Sequence, residues 1–169
     1  MRFDLARRRI AGPALLLSLF AITLLSAAGC SSPPPPPPPP TVVNLTLTTT
    51  ADANPTASGQ GAPVVLRVYQ LSSPAGFEKA EFFRLLNQDS ATLGSDILKK
   101  DEYLLPPGAT KTVTINPGPT VKALGVFAAY RDFRNVTWRA TADVPPNKTT
   151  SITVNAGAAG VTLDAKPGA

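Results

Sequence analysis

Few side chains in this sequence could do chemistry. There is no histidine among its 169 residues. That removes Ser-His-Asp and Cys-His catalysis, a common zinc ligand and the usual general base near neutral pH. Carboxylates, lysines, tyrosines and one thiol, Cys30, remain. Two carboxylate pairs have spacings that acid/base work could use: Glu78 with Glu81, one helical turn apart, and the adjacent Asp101 and Glu102. Glu78 and Glu81 read more simply as the solvent face of a helix. A hydrolase needs two convergent buried carboxylates, and the sequence does not supply them. No catalytic residue, metal ligand or cofactor motif can be assigned, and the expectation is a protein that is not an enzyme.

The thiol has a context of its own. Arg2, Arg7, Arg8 and Arg9 precede an apolar run from Ile10 to Leu25, and Ser26-Ala27-Ala28-Gly29 leads directly into Cys30. This is the three-part layout of an export signal, too short and wrongly flanked for a stable membrane span. Its exit resembles a bacterial lipobox, in which the cysteine is diacylated and becomes the new N-terminus. Ser31 in the next position resembles the signal for outer-membrane sorting, with the protein facing the periplasm. The alternative is ordinary secretion with cleavage near Ala28, which would leave a reactive thiol at the mature terminus. A diacylglyceryl group plus an N-acyl chain exceeds the two-chain threshold for stable anchoring.

Charge excludes another class. Four of the sixteen basic residues and one of the eleven acidic ones, Asp4, lie in this leader. Twelve basic residues against ten acidic ones are left, a net of +2 that gives no support to nucleic-acid binding. No disulfide can form within the chain, so a hydrophobic core must stabilise it.

The elements that position these residues are legible by period. Pro33 to Pro40 is an unbroken proline run, a polyproline II spacer rising ~3.1 Å per residue and reaching roughly 25 Å. Beyond it, apolar residues alternate with polar ones: Val43, Leu45, Leu47; Val64, Leu66, Val68; Val113, Ile115; Val136, Trp138, Ala140, Ala142; Ile152, Val154; Val161, Leu163. Turn residues separate these runs, as at Pro107-Gly108 and Asn116-Pro117-Gly118-Pro119. Short strands at this spacing indicate an antiparallel β-sandwich.

One strand departs from the alternation. From Leu124 to Tyr130 both faces are apolar, so both must be covered. The sandwich covers one. Phe77 to Asn87 can cover the other, because it carries strong helix formers, an apolar stripe through Phe82, Leu85 and Leu86, and acidic residues in its first turn. Thr92 to Tyr103 reads as a second short helix, and Lys99-Lys100 as a solvated helix end. The expected organisation is a leader at 1–29, the lipidated cysteine and spacer at 30–41, a sandwich at 42–165 with a helical insertion at about 77–103, and a disordered tail at 166–169.

Two stretches admit a binding or a bland reading. The loop from Ala51 to Ala62 is longer than a hairpin needs, and either binds a partner or connects flexibly. Tyr130-Arg131-Asp132 either forms a recognition cluster or closes the core at Tyr130 while its charges cap a strand end.

Taken in order, Pro63 to Leu71, Phe77, Ala80 to Leu85, Leu93-Gly94-Ser95-Asp96, Pro107-Gly108, Gly125 to Asp132 and Trp138-Arg139 resemble the type VI secretion system outer-membrane lipoproteins of the TssJ family. The likeness spans about Thr41 to Asp143. It implies a transthyretin-like β-sandwich with an added helical element and a structural role. It also implies binding to the periplasmic C-terminal region of the inner-membrane protein TssM, in a complex that includes TssL. The family's contact loop corresponds here to Ala51–Ala62, which makes Asp52, Asn54, Pro55, Thr56, Ser58 and Gln60 the partner-binding candidates. The alternative is a lipid-anchored binding module or pilotin of another envelope system.

Overall fold

A computed structural model describes residues 35–168; Cys30, its leader and the start of the proline run lie outside them. Two compact units divide the chain after Pro37. In the first, residues 35–37 are exposed and have no regular secondary structure. The second contains eight strands in two sheets among its described residues: β1 (Val42–Thr49), β2 (Val64–Leu71), β3 (Ile97–Leu105), β4 (Thr110–Ile115), β5 (Ala123–Ala128), β6 (Arg139–Asp143), β7 (Thr149–Gly157) and β8 (Gly160–Pro167). One sheet runs β4-β1-β7-β8 and the other β3-β2-β5-β6. Every neighbouring pair is antiparallel except β1 with β7, which is parallel.

The alternating residues do what their period demands. Val43, Leu45 and Leu47 meet Val64, Leu66, Val68, Ile152 and Val154 in the core between the sheets. Strand β5 is buried at every position, as a strand apolar on both faces must be. Its inward residues Leu124, Val126 and Ala128 join that core. Outward, Phe127 joins Tyr69, Leu71, Phe77, Phe82, Leu85 and Leu93 in a second apolar layer beneath the helical insertion.

That insertion is two helices, α1 (Ala75–Lys79) and α2 (Phe82–Leu93, kinked where Gln88 leaves helical backbone at φ −143° and ψ 35°), with a 3-10 turn at Gly94–Asp96. Ala80 and Glu81 adopt extended backbone between them. The break is stabilised from the sheet: the Arg139 guanidinium donates to the carbonyls of Phe77 (3.2 Å) and Ala80, orphan acceptors at the end of α1. The buried positions of α2 are Phe82 and Leu85 before the kink and Asp89 and Leu93 after it. Asp89 is the polar member, and it is fully engaged. It accepts from the Tyr69 hydroxyl (2.9 Å), the Lys100 ammonium (2.8 Å) and the Ser90 N–H (2.8 Å). Burial pushes its carboxyl up, but Lys100, Tyr69 and Ser90 together hold it below the ordinary carboxylate value. Its contribution to stability is therefore fully present above the ordinary carboxylate value and is lost as pH falls below that value and through the depressed native one. Arg67 adds a clamp beside it, donating to the carbonyls of Leu85 (3.1 Å) and Leu86 (2.8 Å) and to Glu102 (2.7 Å).

Three expectations are corrected. Residues 97–103 are strand, not helix: Ile97–Leu105 pairs with β2 along its length as an edge strand. The Lys99-Lys100-Asp101-Glu102 run that reads as helical is the charged dress of a sheet edge. The strand expected from Val136 begins at Arg139, so Trp138 precedes β6; half-buried, it packs against both apolar layers, as a core residue should. The tail is not frayed as far as it is described, since Lys166 and Pro167 pair with Ser151 and Thr150 and the Gly168 N–H bonds the Thr149 carbonyl at 2.7 Å. Pro167 is tolerated because β8 is an edge.

Close approach of helix to sheet depends on Gly125. A Cβ there would lie 2.9 Å from Leu71 Cδ1 and 3.1 Å from the Phe77 ring, both fully buried. Gly125→Ala is therefore expected to cost about 1–3 kcal/mol by overpacking, read as a lowered urea midpoint with an unchanged slope.

Candidate functional site

The strand directions sort the connections to two ends. Strand β1 runs away from Thr41, and its partners' directions place the connections 50–63, 106–109, 129–138 and 158–159 at the far end. Thr41 shares the near end with 116–122, 144–148 and the points where the 72–96 insertion leaves and rejoins the sheet; there the Val42 N–H bonds the Lys148 carbonyl (3.0 Å) and Asn147 N–H bonds the Thr41 hydroxyl (2.8 Å).

The far-end loops hold one another. The buried Thr49 hydroxyl donates to the Pro106 carbonyl (2.6 Å) and accepts from the Ala109 N–H (2.9 Å). Gly108 N–H reaches the Thr50 carbonyl at 3.2 Å. Loop 129–138 is pinned to the β7–β8 hairpin, where Thr137 bridges Gly160 and the Val161 N–H bonds the Thr137 carbonyl (2.7 Å). Only glycine fits at 160, since its φ is +125° and a Cβ would stand 2.3 Å from that carbonyl.

The loop from Ala51 to Ala62 is ordered by its own bonds: Ala53 N–H to Thr50 O (3.1 Å), Ala62 N–H to Ala53 O (2.8 Å), Thr56 N–H to Gln60 O (2.8 Å) and Gly59 N–H to Thr56 O (2.9 Å). Its candidates divide by burial. Asp52, Ser58 and Gln60 are exposed, and Pro55 and Thr56 are half-buried. Asp52 accepts from the Thr50 hydroxyl, and the Thr56 and Ser58 hydroxyls bond at 2.9 Å. Asn54 is 4% exposed and turned inward. Its amide donates to the Pro63 carbonyl (2.8 Å), and its oxygen accepts the Arg131 N–H (2.9 Å). Its φ of 48° is a conformation asparagine tolerates better than most residues. Asn54 thus builds the end and ties its longest loop to the β5–β6 connection.

That connection carries what the loop alone does not. Tyr130 closes the core at 3% exposure, while Arg131, Asp132, Arg134 and Asn135 face solvent. The Asn135 amide donates to both Asp132 oxygens (2.8 and 2.9 Å). Phe133, half-buried between them, is the residue sequence reasoning missed, and its place among polar neighbours in a loop was the available signal. Three of the carboxylates with catalytic spacing have other partners. Glu102 pairs with Arg67, Asp101 with Lys99 (3.6 Å), and Glu78 accepts from Thr141 (2.9 Å). Among the described residues no group of three His, Cys, Asp or Glu could hold a metal ion.

What this arrangement can do is present a preformed surface. Residues 41–159 match the model of the type VI secretion lipoproteins, described as VasD, EvfM and TssJ. The chain belongs to the TssJ family of type VI secretion lipoproteins. The family match takes in strands β1 to β7, the helical insertion and every far-end loop, and stops just before β8. The chain is similar to the TssJ1 lipoprotein of Pseudomonas aeruginosa, 37% identical with a TM-score of 0.74 over 78% of this chain and 100% of that one. It is also similar to Lip of Serratia marcescens, a membrane-bound component of the type VI secretion system (28% identity, TM-score 0.68, 74% and 98% coverage). A third similar chain comes from the structure of the TssM C-terminal domain from EAEC (28% identity, TM-score 0.58, 72% and 99% coverage). No curated protein matches in the sequence search. The TssJ-family sandwich with a short helical element between strands is therefore the fold observed.

Asn54→Ala is expected to cost about 1–3 kcal/mol, because the Pro63 carbonyl and Arg131 N–H lose a buried partner and alanine strains at positive φ. Asn54→Gly relieves the strain and should recover part of that loss in a thermal melt.

Proposed function

We propose that this protein is a lipid-anchored, non-enzymatic component of a type VI secretion membrane complex. It faces the periplasm from the outer membrane and binds the periplasmic C-terminal region of TssM, in a complex that includes TssL. The observation that carries this reading is the polarity of the sandwich. The chain enters at one end through Thr41 and β1, and the interlocked loops occupy the other. Acyl chains on Cys30 would hold the entering end toward the membrane, leaving the loop end free to meet a partner. The likeness to a chain in the TssM C-terminal domain structure supports the choice of partner. Glu78, Asp101 and Glu102 are engaged with a hydroxyl or a cation, which is consistent with a role that needs no chemistry. Because the loops bond to one another, binding orders few residues and retains more of the contact energy.

Two experiments test the reading. The full chain, purified in detergent, would be titrated calorimetrically with the periplasmic C-terminal region of the cognate TssM. Saturable binding is expected, and Ser58→Trp at the exposed loop tip should weaken it by about tenfold or more without moving Tm. Absence of binding between folded partners overturns the TssM assignment. Separately, Cys30→Ser should leave the domain folded but remove it from the outer-membrane fraction. Retention there overturns lipid anchoring and leaves the fold untouched.

A further inference from the structure

The loop end continues sideways into an aromatic surface with a distinct chemistry. Five rings form a connected stack. Phe127, fully buried, lies 5.2 Å from Phe82 and 5.8 Å from Trp138. Phe82 stacks flat on Phe133 at 4.3 Å, and Phe83 meets Phe133 edge-on at 4.9 Å. The stack ends in solvent at Phe83, which is 55% exposed and lies off the buried face of α2. Leu98 and Leu104 are the other exposed large apolar residues among those described, and both sit on the charged edge strand β3. Only Phe83 caps a ring stack rooted in the core.

Two arginines stand beside the rings. Arg134 lies 5.7 Å over the Phe133 ring, and Arg131 is fixed through its backbone to Asn54. Among the described residues neither arginine enters an ion pair. Two acidic residues share this surface. Asp132 has both oxygens occupied by the Asn135 amide, and Glu81 stands at the N-terminal end of α2, where the helix dipole favours it. The guanidiniums of Arg131 and Arg134 thus remain available to an outside carboxylate. Rigid aromatics flanked by arginine are the composition of binding hot spots.

We propose that Phe83 and Phe133, with Arg131 and Arg134, form a second arm of the docking face. This arm takes a partner segment that sets one large apolar side chain on the rings and carboxylates against the arginines. The proposal rests on the reading above, that the loop end meets TssM, and it names the chemistry of the partner there. Loop 129–138 joins the two arms, because it carries Phe133, Arg131 and Arg134 and bonds the Ala51–Ala62 loop through Asn54.

The test uses the full chain in detergent and the same TssM region. Phe83→Ser and Arg134→Glu are each expected to weaken binding about tenfold or more, while Arg134→Lys retains most of it. Arg134→Glu should also flatten the salt dependence of the affinity. Arg134 is exposed, so its variants should leave the thermal melt unmoved, whereas Phe83→Ser gives up edge-on contacts with Phe82 and Phe133 and should lower Tm slightly. A photo-cross-linking residue at position 83 should form an adduct with TssM, a readout that survives if Phe83→Ser folds poorly. Wild-type affinity in both variants with no adduct, while Ser58→Trp still weakens binding, overturns this inference and leaves the proposed function standing. Failure of the unsubstituted chain to bind overturns both.

Discussion

A strand that is apolar on both faces cannot stand at the surface of a two-layer protein, and β5 is such a strand. The architecture follows from covering it twice. Inward, the β4-β1-β7-β8 sheet supplies the second layer. Outward, the connection from β2 to β3 doubles as a lid, with Phe77 approaching so closely that residue 125 has no room for a side chain. A lid made only of greasy contacts would slide. The Asp89 carboxylate prevents this by gathering donors from the sheet onto one helical position, while Arg67 and Arg139 take up carbonyls at points where the helices run out of internal partners.

The same lid shapes the far end. Helix α2 begins at Phe82, so its first turn sits beside loop 129–138 and completes the aromatic stack that this loop starts. Covering β5 and building a solvent-facing aromatic ridge are one packing solution. The backbone bonds between loops then fix that ridge relative to Ala51–Ala62. The far end behaves as a preformed surface rather than as four independent loops.

Period carried most of the fold. Alternation located the inward faces of β1, β2, β7 and β8, and the double greasiness of 124–130 called for a helix, which Phe82 and Leu85 supply. The reading failed where tertiary context overrode local pattern. Lys99-Lys100-Asp101-Glu102 has the composition of a helix surface, but the same charges suit an edge strand, and only pairing with β2 decides between them. The parallel β1–β7 pair was invisible because alternation carries no direction. At the site, loop length marked the right segment but not its inward member. An asparagine in a loop reads as polar surface, and the two partners that bury Asn54 are nine and seventy-seven residues away.

The place of β1 has a mechanical meaning. It is the first strand of the sandwich, yet it is an interior strand, bonded to β4 along one side and β7 along the other. A pull on its N-terminal end, opposed by a load on the far-end loops, acts along the strand axis. Both ladders are then strained in shear, with their rungs loaded together, rather than unzipped one rung at a time from an edge. A domain loaded through such a strand can carry tension along its length while its far end keeps its shape.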